Sequence, residues 1–176
     1  MTKWIALLRG VNVGGITIKS VELREVFDRL GFEHVRTVLA SGNVAFDGAE
    51  GEASDALKSR IEQALRDRFD YEAWIVLVTR EQLERVVEAF PFDASDMSRQ
   101  PYVVFASDEK ALDELVAAAG EPDPAADPIS RGDGVLYWNP VTGTTLETPF
   151  AKLLGKPRYK PATTNRNLRT LHKLLA

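Results

Sequence analysis

The order of apolar segments along the chain constrains its fold more than any other feature. Short apolar runs typical of strands alternate with patterns of helical spacing in the order strand, helix, strand, strand, helix, strand. The strand-like runs are Lys3–Arg9, Val35–Leu39, Val44–Phe46 and Ala73–Val78, and the helical patterns are Val21–Leu30 and a segment that starts at Ser54. This order predicts the split βαβ, or ferredoxin-like, arrangement, in which two helices cover one face of a four-stranded antiparallel sheet.

The second half of the chain repeats this order. The segments are Tyr102–Phe105, the helix Glu109–Ala119, the hairpin runs Ile129–Arg131 and Val135–Trp138, the helix Leu146–Leu154 and an edge strand at Pro161–Thr163. We therefore predict an α+β protein of two ferredoxin-like subdomains with antiparallel sheets and additional helices. Residues 1–79 form the first subdomain, residues 80–100 a connecting helix and linker, and residues 101–176 the second, which ends in a basic helix over Arg166–Leu175.

Polar residues mark the starts of several helices. Ser20, Ser54 and Asp108 stand where a helix N-cap is expected, because their side-chain oxygens can accept a free backbone N–H. Thr79 and Gln82 have the spacing of a capping box, which predicts a third helix after the first subdomain.

Composition excludes several classes of protein. A chain of 176 residues with 44% hydrophobic residues can bury a core, and it contains no apolar run long enough to span a bilayer and no signal-peptide pattern. We expect a cytoplasmic protein without membrane contact, and the sequence leaves a monomer or an oligomer open. The absence of cysteine and the presence of only two histidines argue against a metal centre, and no motif indicates a cofactor.

Charge is unevenly distributed. Thr148–Ala176 contains seven Lys and Arg residues and no Asp or Glu, whereas residues 1–147 carry all 26 acidic residues and 15 of the 22 basic ones. The tail therefore has a formal charge of +7 and the rest of the chain −11. Such asymmetry favours a tail that packs on its own acidic body, with a phosphate-bearing partner as the alternative.

A glycine-rich stretch after the first strand is the strongest functional signal. Backbone N–H groups in such a loop, together with an arginine, suit an anion. Because the strand order brings the end of the first strand next to the turn between the second and third, we expect both segments to share a site. The candidate ligand-binding residues in these two segments are Arg9, Gly10, Asn12, Gly14, Gly15, Ser41, Gly42 and Asn43.

Three stretches together resemble the bacterial domain-of-unknown-function 1697 family. They are Ile5–Gly15, Ser41–Phe46 and the terminal Thr164–Thr170. The terminal stretch matches the family pattern Thr-Thr-Arg-Asn-Trp-Asn-Thr at Thr164, Arg166, Asn167 and Thr170 and departs from it at Asn165, Leu168 and Arg169. The resemblance implies two ferredoxin-like subdomains and no established activity, and it adds Thr164, Arg166 and Asn167 to the candidate ligand-binding residues.

Three functions are compatible with these residues. The first is binding of a phosphate-bearing ligand, either a nucleic acid or a nucleotide, through the glycine-rich loop, Arg and Asn side chains. The second is an enzyme that acts on a small anionic metabolite in a cleft between the subdomains, although the sequence shows no base or nucleophile and catalytic residues are unknown. The third is a structural or protein-interaction module in which the same motifs only stabilise loops.

Overall fold

The first half of the chain folds as the sequence pattern predicts. In the computed structural model, which describes residues 1–9, 17–39 and 42–176, it forms six elements in the expected order. They are strand β1 (Thr2–Leu8), helix α1 (Ser20–Arg29), strands β2 (Glu33–Thr37) and β3 (Asn43–Gly48), helix α2 (Ser54–Phe69) and strand β4 (Ile75–Thr79). The sheet order is β2-β3-β1-β4 with antiparallel neighbours, the order expected of a split βαβ unit.

The second half repeats that topology. After helix α3 (Arg80–Glu88) come strand β5 (Tyr102–Ala106), helix α4 (Glu109–Ala119), strands β6 (Ile129–Arg131) and β7 (Val135–Trp138), helix α5 (Pro149–Leu154), strand β8 (Thr163–Asn167) and helix α6 (Leu168–Leu175). The second sheet has the order β6-β7-β5-β8, which matches the first sheet element for element. The described residues thus form an α+β protein with two four-stranded antiparallel sheets and six α-helices, which confirms the predicted fold class.

The chain divides into two compact units. The first unit contains Met1–Glu84 and Lys173–Ala176, and the second contains Arg85–His172. Each unit has its own core of sheet residues packed on two helices. The first core is built around Trp4, Phe27, Phe46, Leu57 and Ile61, and the second around Val104, Leu115, Leu136, Trp138 and Phe150.

The predicted helix starts are partly confirmed. The Thr79 backbone N–H donates to Gln82 Oε1 at 2.8 Å and the Gln82 N–H donates to Thr79 Oγ1 at 3.1 Å, so the capping box forms at the start of α3. Asp108 caps α4 by accepting from the Ala111 N–H at 2.7 Å. The predictions for Ser20 and Ser54 are wrong, because each is the first helical residue and follows an extended residue without a capping bond. Packing of the apolar face stabilises these two helices without a cap.

Three elements near the C-terminus also differ in their boundaries from the prediction. Helix α5 begins at Pro149, after Thr148 accepts from the Ala151 N–H, because proline suits the first position of a helix. The edge strand lies at Thr163–Asn167 instead of Pro161–Thr163, and the last helix starts at Leu168 instead of Arg166. Within the described residues, no helix combines the length and apolar character needed to cross a membrane.

Candidate functional site

The end of β1 meets the turn before β3 at one edge of the first sheet. The Leu8 N–H donates to Gly42 O at 2.8 Å, and Leu7 pairs with Asn43 in the register of β1 and β3. The strand order of the split βαβ unit predicts this neighbourhood, because β1 and β3 are adjacent and antiparallel. Residues 10–16 and 40–41 lie outside the described residues, so Gly10, Asn12, Gly14, Gly15 and Ser41 stay sequence-based candidates.

Arg9 follows β1 directly and is partly buried. Its backbone N–H donates to Trp74 O at 3.1 Å, which continues the pairing of β1 with β4 by one residue. Burial lowers the pKa of the Arg9 guanidinium from its usual value, since removal of water disfavours the charged form. At neutral pH the side chain nevertheless stays charged, so a permanent cation lies at this edge of the sheet.

Sequence reasoning missed Trp74 as a residue of this edge. The pattern assigned it to a strand of the core, whereas the strand begins at Ile75 and Trp74 contributes its backbone oxygen beside Arg9. The signal was available in the topology: in a split βαβ unit the first and fourth strands are neighbours. The residue before β4 therefore meets the residue after β1.

Gly42 and Asn43 shape the turn before β3. Gly42 has a φ of 76°, a conformation that glycine adopts without strain. Asn43 is buried, and its Nδ2 donates to Val38 O at 2.9 Å while the Val38 N–H donates to Asn43 O at 2.9 Å. These contacts give the Asn43 amide a bracing role across the turn.

The three candidates from the terminal motif lie on β8 in the second unit. Arg166 is buried, and its Nη1 donates to Thr164 Oγ1 at 2.6 Å and to Asn165 O at 3.1 Å. Burial lowers the pKa of Arg166 to about 10. Asn167 Oδ1 accepts from the Arg169 N–H at 2.9 Å, the bond of an N-cap at the start of α6. These contacts give Asn167 a structural role and tie Arg166 to its own strand.

The basic C-terminal stretch contacts an acidic side chain of the same unit. Arg158 forms an ion pair with Glu114 at 3.1 Å, where hydrogen bonding and charge raise the pKa of Arg158. Lys152, Lys156 and Lys160 are exposed on the same segment. The Arg158 ion pair is a contact of the kind expected of a tail that packs on its own acidic body.

Comparisons with known proteins bear on the fold and the family. A conserved bacterial protein, SP0830 from Streptococcus pneumoniae, aligns over 99% of this chain and 97% of its own with a TM-score of 0.82 and 24% identity, which shows a shared fold. An unknown protein from Galdieria sulphuraria covers 94% of this chain and 96% of its own at 11% identity, with a TM-score of 0.28 that carries no argument.

Sequence comparison gives the family. No curated protein gives a significant match. The family model described as "Protein of unknown function (DUF1697)" matches residues 1–137, which include β1, the turn before β3 and most of the second sheet. Since the match covers well over half of the chain, this protein belongs to that family of unknown function.

Proposed function

We propose that the protein binds a phosphate-bearing ligand, a nucleotide or a nucleic-acid backbone, at the edge of the first sheet where β1 ends. The observation that carries the proposal is the position of Arg9. This partly buried cation follows β1, and the preceding residue, Leu8, is hydrogen-bonded to Gly42 at 2.8 Å. The cation and the glycine-bearing turn that the sequence links to one site are thus near neighbours.

A partly buried guanidinium favours an anionic ligand for a physical reason. Burial has already removed part of its hydration, which is the cause of the lowered pKa of Arg9. A phosphate offers oxygens in the geometry that a planar guanidinium binds with two parallel hydrogen bonds.

The other candidates enter the proposal as supporting groups. Gly10, Asn12, Gly14, Gly15 and Ser41 would add backbone and side-chain donors around the anion. The described contacts of Asn43, Arg166 and Asn167 favour structural roles for these three residues. Arg9 has the main binding role in the proposal because it is a cation that directly follows β1 and adjoins the glycine-rich stretch. The absence of cysteine fits the reducing cytoplasm, which we propose as the setting.

The test compares two arginine variants. A short fluorescein-labelled RNA is titrated with protein by fluorescence anisotropy, and pyrophosphate is used as competitor. We expect Arg9→Gln to weaken binding by about tenfold, equivalent to about 1.4 kcal/mol. Arg24→Gln removes the same charge from the exposed face of α1, where Arg24 pairs with Asp28 at 3.8 Å, and should bind as the wild type does.

Salt and stability measurements complete the test. If the ligand is a nucleic acid, affinity should fall steeply between about 50 and about 200 mM salt, because binding releases counterions. Wild-type protein that binds neither probe at the lower salt would contradict the proposal. An Arg9→Gln variant that binds normally but melts earlier would instead support a purely structural loop.

A further inference from the structure

A second group of cationic side chains lies on the face of the first sheet that α1 and α2 do not cover. A cavity of about 370 Å³ is bounded there by alternate residues of two central strands: Lys3 and Ile5 of β1, and Ala45 and Asp47 of β3. The residues between them, Trp4 and Phe46, also border the cavity, but their side chains belong to the helix-covered core. Because successive side chains on a strand point to opposite faces, the cavity lies on the face away from that core.

A β-bulge in β2 brings an arginine to this cavity. Glu33 pairs with Asp47, but Ala45 pairs with Arg36 instead of Val35, so β2 contains one extra residue here. His34 lies within the bulge with a φ of 51°, a conformation that histidine adopts at a cost. Since directly paired residues share a face of the sheet, the bulge places Arg36 beside Ala45 and leaves Val35 in the core.

Contacts with the last turn of α6, which belongs to the same unit, hold two guanidinium groups at the cavity wall. Arg36 Nη2 donates to Leu174 O at 2.9 Å, and its Nη1 donates to Lys173 O at 3.2 Å. Arg80, the first residue of α3, donates from Nη2 to Leu175 O and from Nε to Glu84 at 3.0 Å. The helix carbonyls carry only partial negative charge, so they position Arg36 without neutralising it, whereas Arg80 is also ion-paired with Glu84.

The side chains that line the cavity are predominantly cationic. Among the lining side chains, Lys3, Arg36 and Arg80 are cationic and Asp47, which His34 Nδ1 contacts at 3.0 Å, is the one carboxylate. Arg36 Nη2 also donates to Ala176 O at 3.4 Å, so Lys3 is the cation of the lining that has neither a carboxylate nor a carbonyl contact among the described residues. Lys3 is exposed, and across residues 1–9, 17–39 and 42–176 no carboxylate forms an ion pair with it. Ile5, Ala45 and Leu174 add apolar surface beside the charges.

We propose that this cavity binds a small organic anion, a phosphate or carboxylate group carried on an apolar body. Its volume lies within the range of small-molecule sites, and its lining joins convergent cations to an apolar floor. The site is separate from the edge at Arg9, because Lys3 and Arg9 lie at opposite ends of β1, about 20 Å apart at the rise of an extended strand.

Three simple probes test this proposal. Phenyl phosphate, benzoate and inorganic phosphate are titrated separately into ¹⁵N-labelled protein, and the backbone amide signals of Ala45 and Asp47 are followed. Saturable shifts with phenyl phosphate or benzoate, and weaker binding of inorganic phosphate, are expected from an anion site with an apolar floor. Whichever of phenyl phosphate and benzoate binds more tightly identifies phosphate or carboxylate as the preferred head group. Absence of saturable shifts with both aromatic probes would overturn the proposal.

Two variants with opposite expected effects test the sign of the charge. Lys3→Gln should weaken binding about three- to tenfold, as loss of one exposed charge contact implies. Asp47→Asn removes the carboxylate that lines the cavity and should tighten binding about threefold. Unchanged affinity in Lys3→Gln, or weaker binding in Asp47→Asn, would overturn the proposal.

Controls separate this site from the one at Arg9. Lys110→Gln removes an exposed lysine from α4 in the second unit and should leave the aromatic probes' affinity unchanged. In Arg9→Gln, the Ala45 and Asp47 amide signals should respond to these probes as in the wild type even if the variant no longer binds RNA. If Arg9→Gln lost binding of both RNA and the aromatic probes, the two sites would not be separate. If it lost only RNA binding, the proposal for the cavity would be retained.

Discussion

Glu62 in the first unit and Asp127 in the second are buried carboxylates in units that share one strand order. Glu62 lies on α2, accepts from the Ile75 N–H at 2.9 Å, and keeps Lys58 Nζ at 2.9 Å beside it. Asp127 lies in the loop before β6, and its two oxygens accept from Trp138 Nε1 at 2.6 Å and the Phe150 N–H at 2.7 Å. Glu62 thus connects α2 to β4 and also contacts a lysine. Asp127 connects β7 to α5 through two neutral donors.

The difference shows that two units with the same strand order can place their buried carboxylates on different elements. In the first unit the carboxylate lies on the second helix of the βαββαβ order. In the second unit the carboxylate lies in a loop, and the Phe150 backbone N–H of the corresponding helix, α5, donates to it. A buried donor that loses its acceptor lowers the free energy of unfolding more than an exposed donor does. Because Asp127 accepts from two buried donors and Glu62 from one backbone donor, removal of the two carboxylates should have different effects.

Removal of Asp127 should have the largest effect. Asp127→Ala leaves the Trp138 indole N–H and the Phe150 N–H without their acceptor, so we expect a loss of about 3–5 kcal/mol in the free energy of unfolding. Chemical denaturation followed by tryptophan fluorescence and circular dichroism measures it. Asp113→Ala, which removes an exposed partner of Arg131 at 2.6 Å, is the matched control and should cost less than about 1 kcal/mol. Equal losses in the two variants would contradict this assignment.

The corresponding change in the first unit should be smaller. Glu62→Ala deprives one backbone donor of its acceptor and breaks the contact with Lys58, for which we expect about 1–3 kcal/mol. Glu62→Gln should cost less than about 1 kcal/mol, because an amide oxygen can still accept from Ile75. Asp127→Asn should cost more than Glu62→Gln, since an amide replaces only one of the two acceptor oxygens. The same denaturation experiment ranks all four variants, and the reverse ranking would refute the comparison.

The sequence predicts features that depend on local rules or on strand order. The Thr79–Gln82 capping box depends on residues three apart, and the meeting of Leu8 with Gly42 follows from the order of strands. Asp127 could not be found in this way, because its partners lie 11 and 23 residues further along the chain. Strand β8 was misplaced because its sequence, Thr-Thr-Asn-Arg-Asn, lacks the apolar pattern of a strand and is held by pairing with β5.

The candidate site shows the same limit. Position on the chain identifies Arg9 and Asn43, but only coordinates show that the Asn43 amide donates to Val38 O. The bulge that places Arg36 beside the cavity bounded by Lys3 and Ala45 leaves no pattern in the sequence, because one extra residue changes which side chains share a face. Sequence reasoning therefore locates the segments of a site better than the atoms that each residue offers.

Two tyrosines, one in each unit, allow a direct comparison in which the expected changes in stability are the smallest. The Tyr137 hydroxyl donates to Val86 O at 2.6 Å, whereas the buried Tyr71 hydroxyl has no hydrogen-bond partner among the described residues. We expect Tyr137→Phe to cost about 1 kcal/mol in the free energy of unfolding. Tyr71→Phe should be neutral or slightly stabilising, because it removes a buried polar atom that gains nothing from folding. Equal losses in the two variants would show that Tyr71 has a partner.

Alkaline pH should distinguish Tyr71 from its phenylalanine variant. Burial raises the pKa of Tyr71 to about 12, above the value of about 10 expected in the unfolded chain. Between these values the folded protein holds a proton that the unfolded chain has released, so stability falls as pH rises. The contribution is fully present below pH about 10 and is lost as pH approaches about 12. Denaturation midpoints measured across this range should fall less steeply for Tyr71→Phe than for the wild type, since other titrating groups affect both alike. Parallel curves would mean that the Tyr71 phenol ionises as readily in the folded protein as in the unfolded chain.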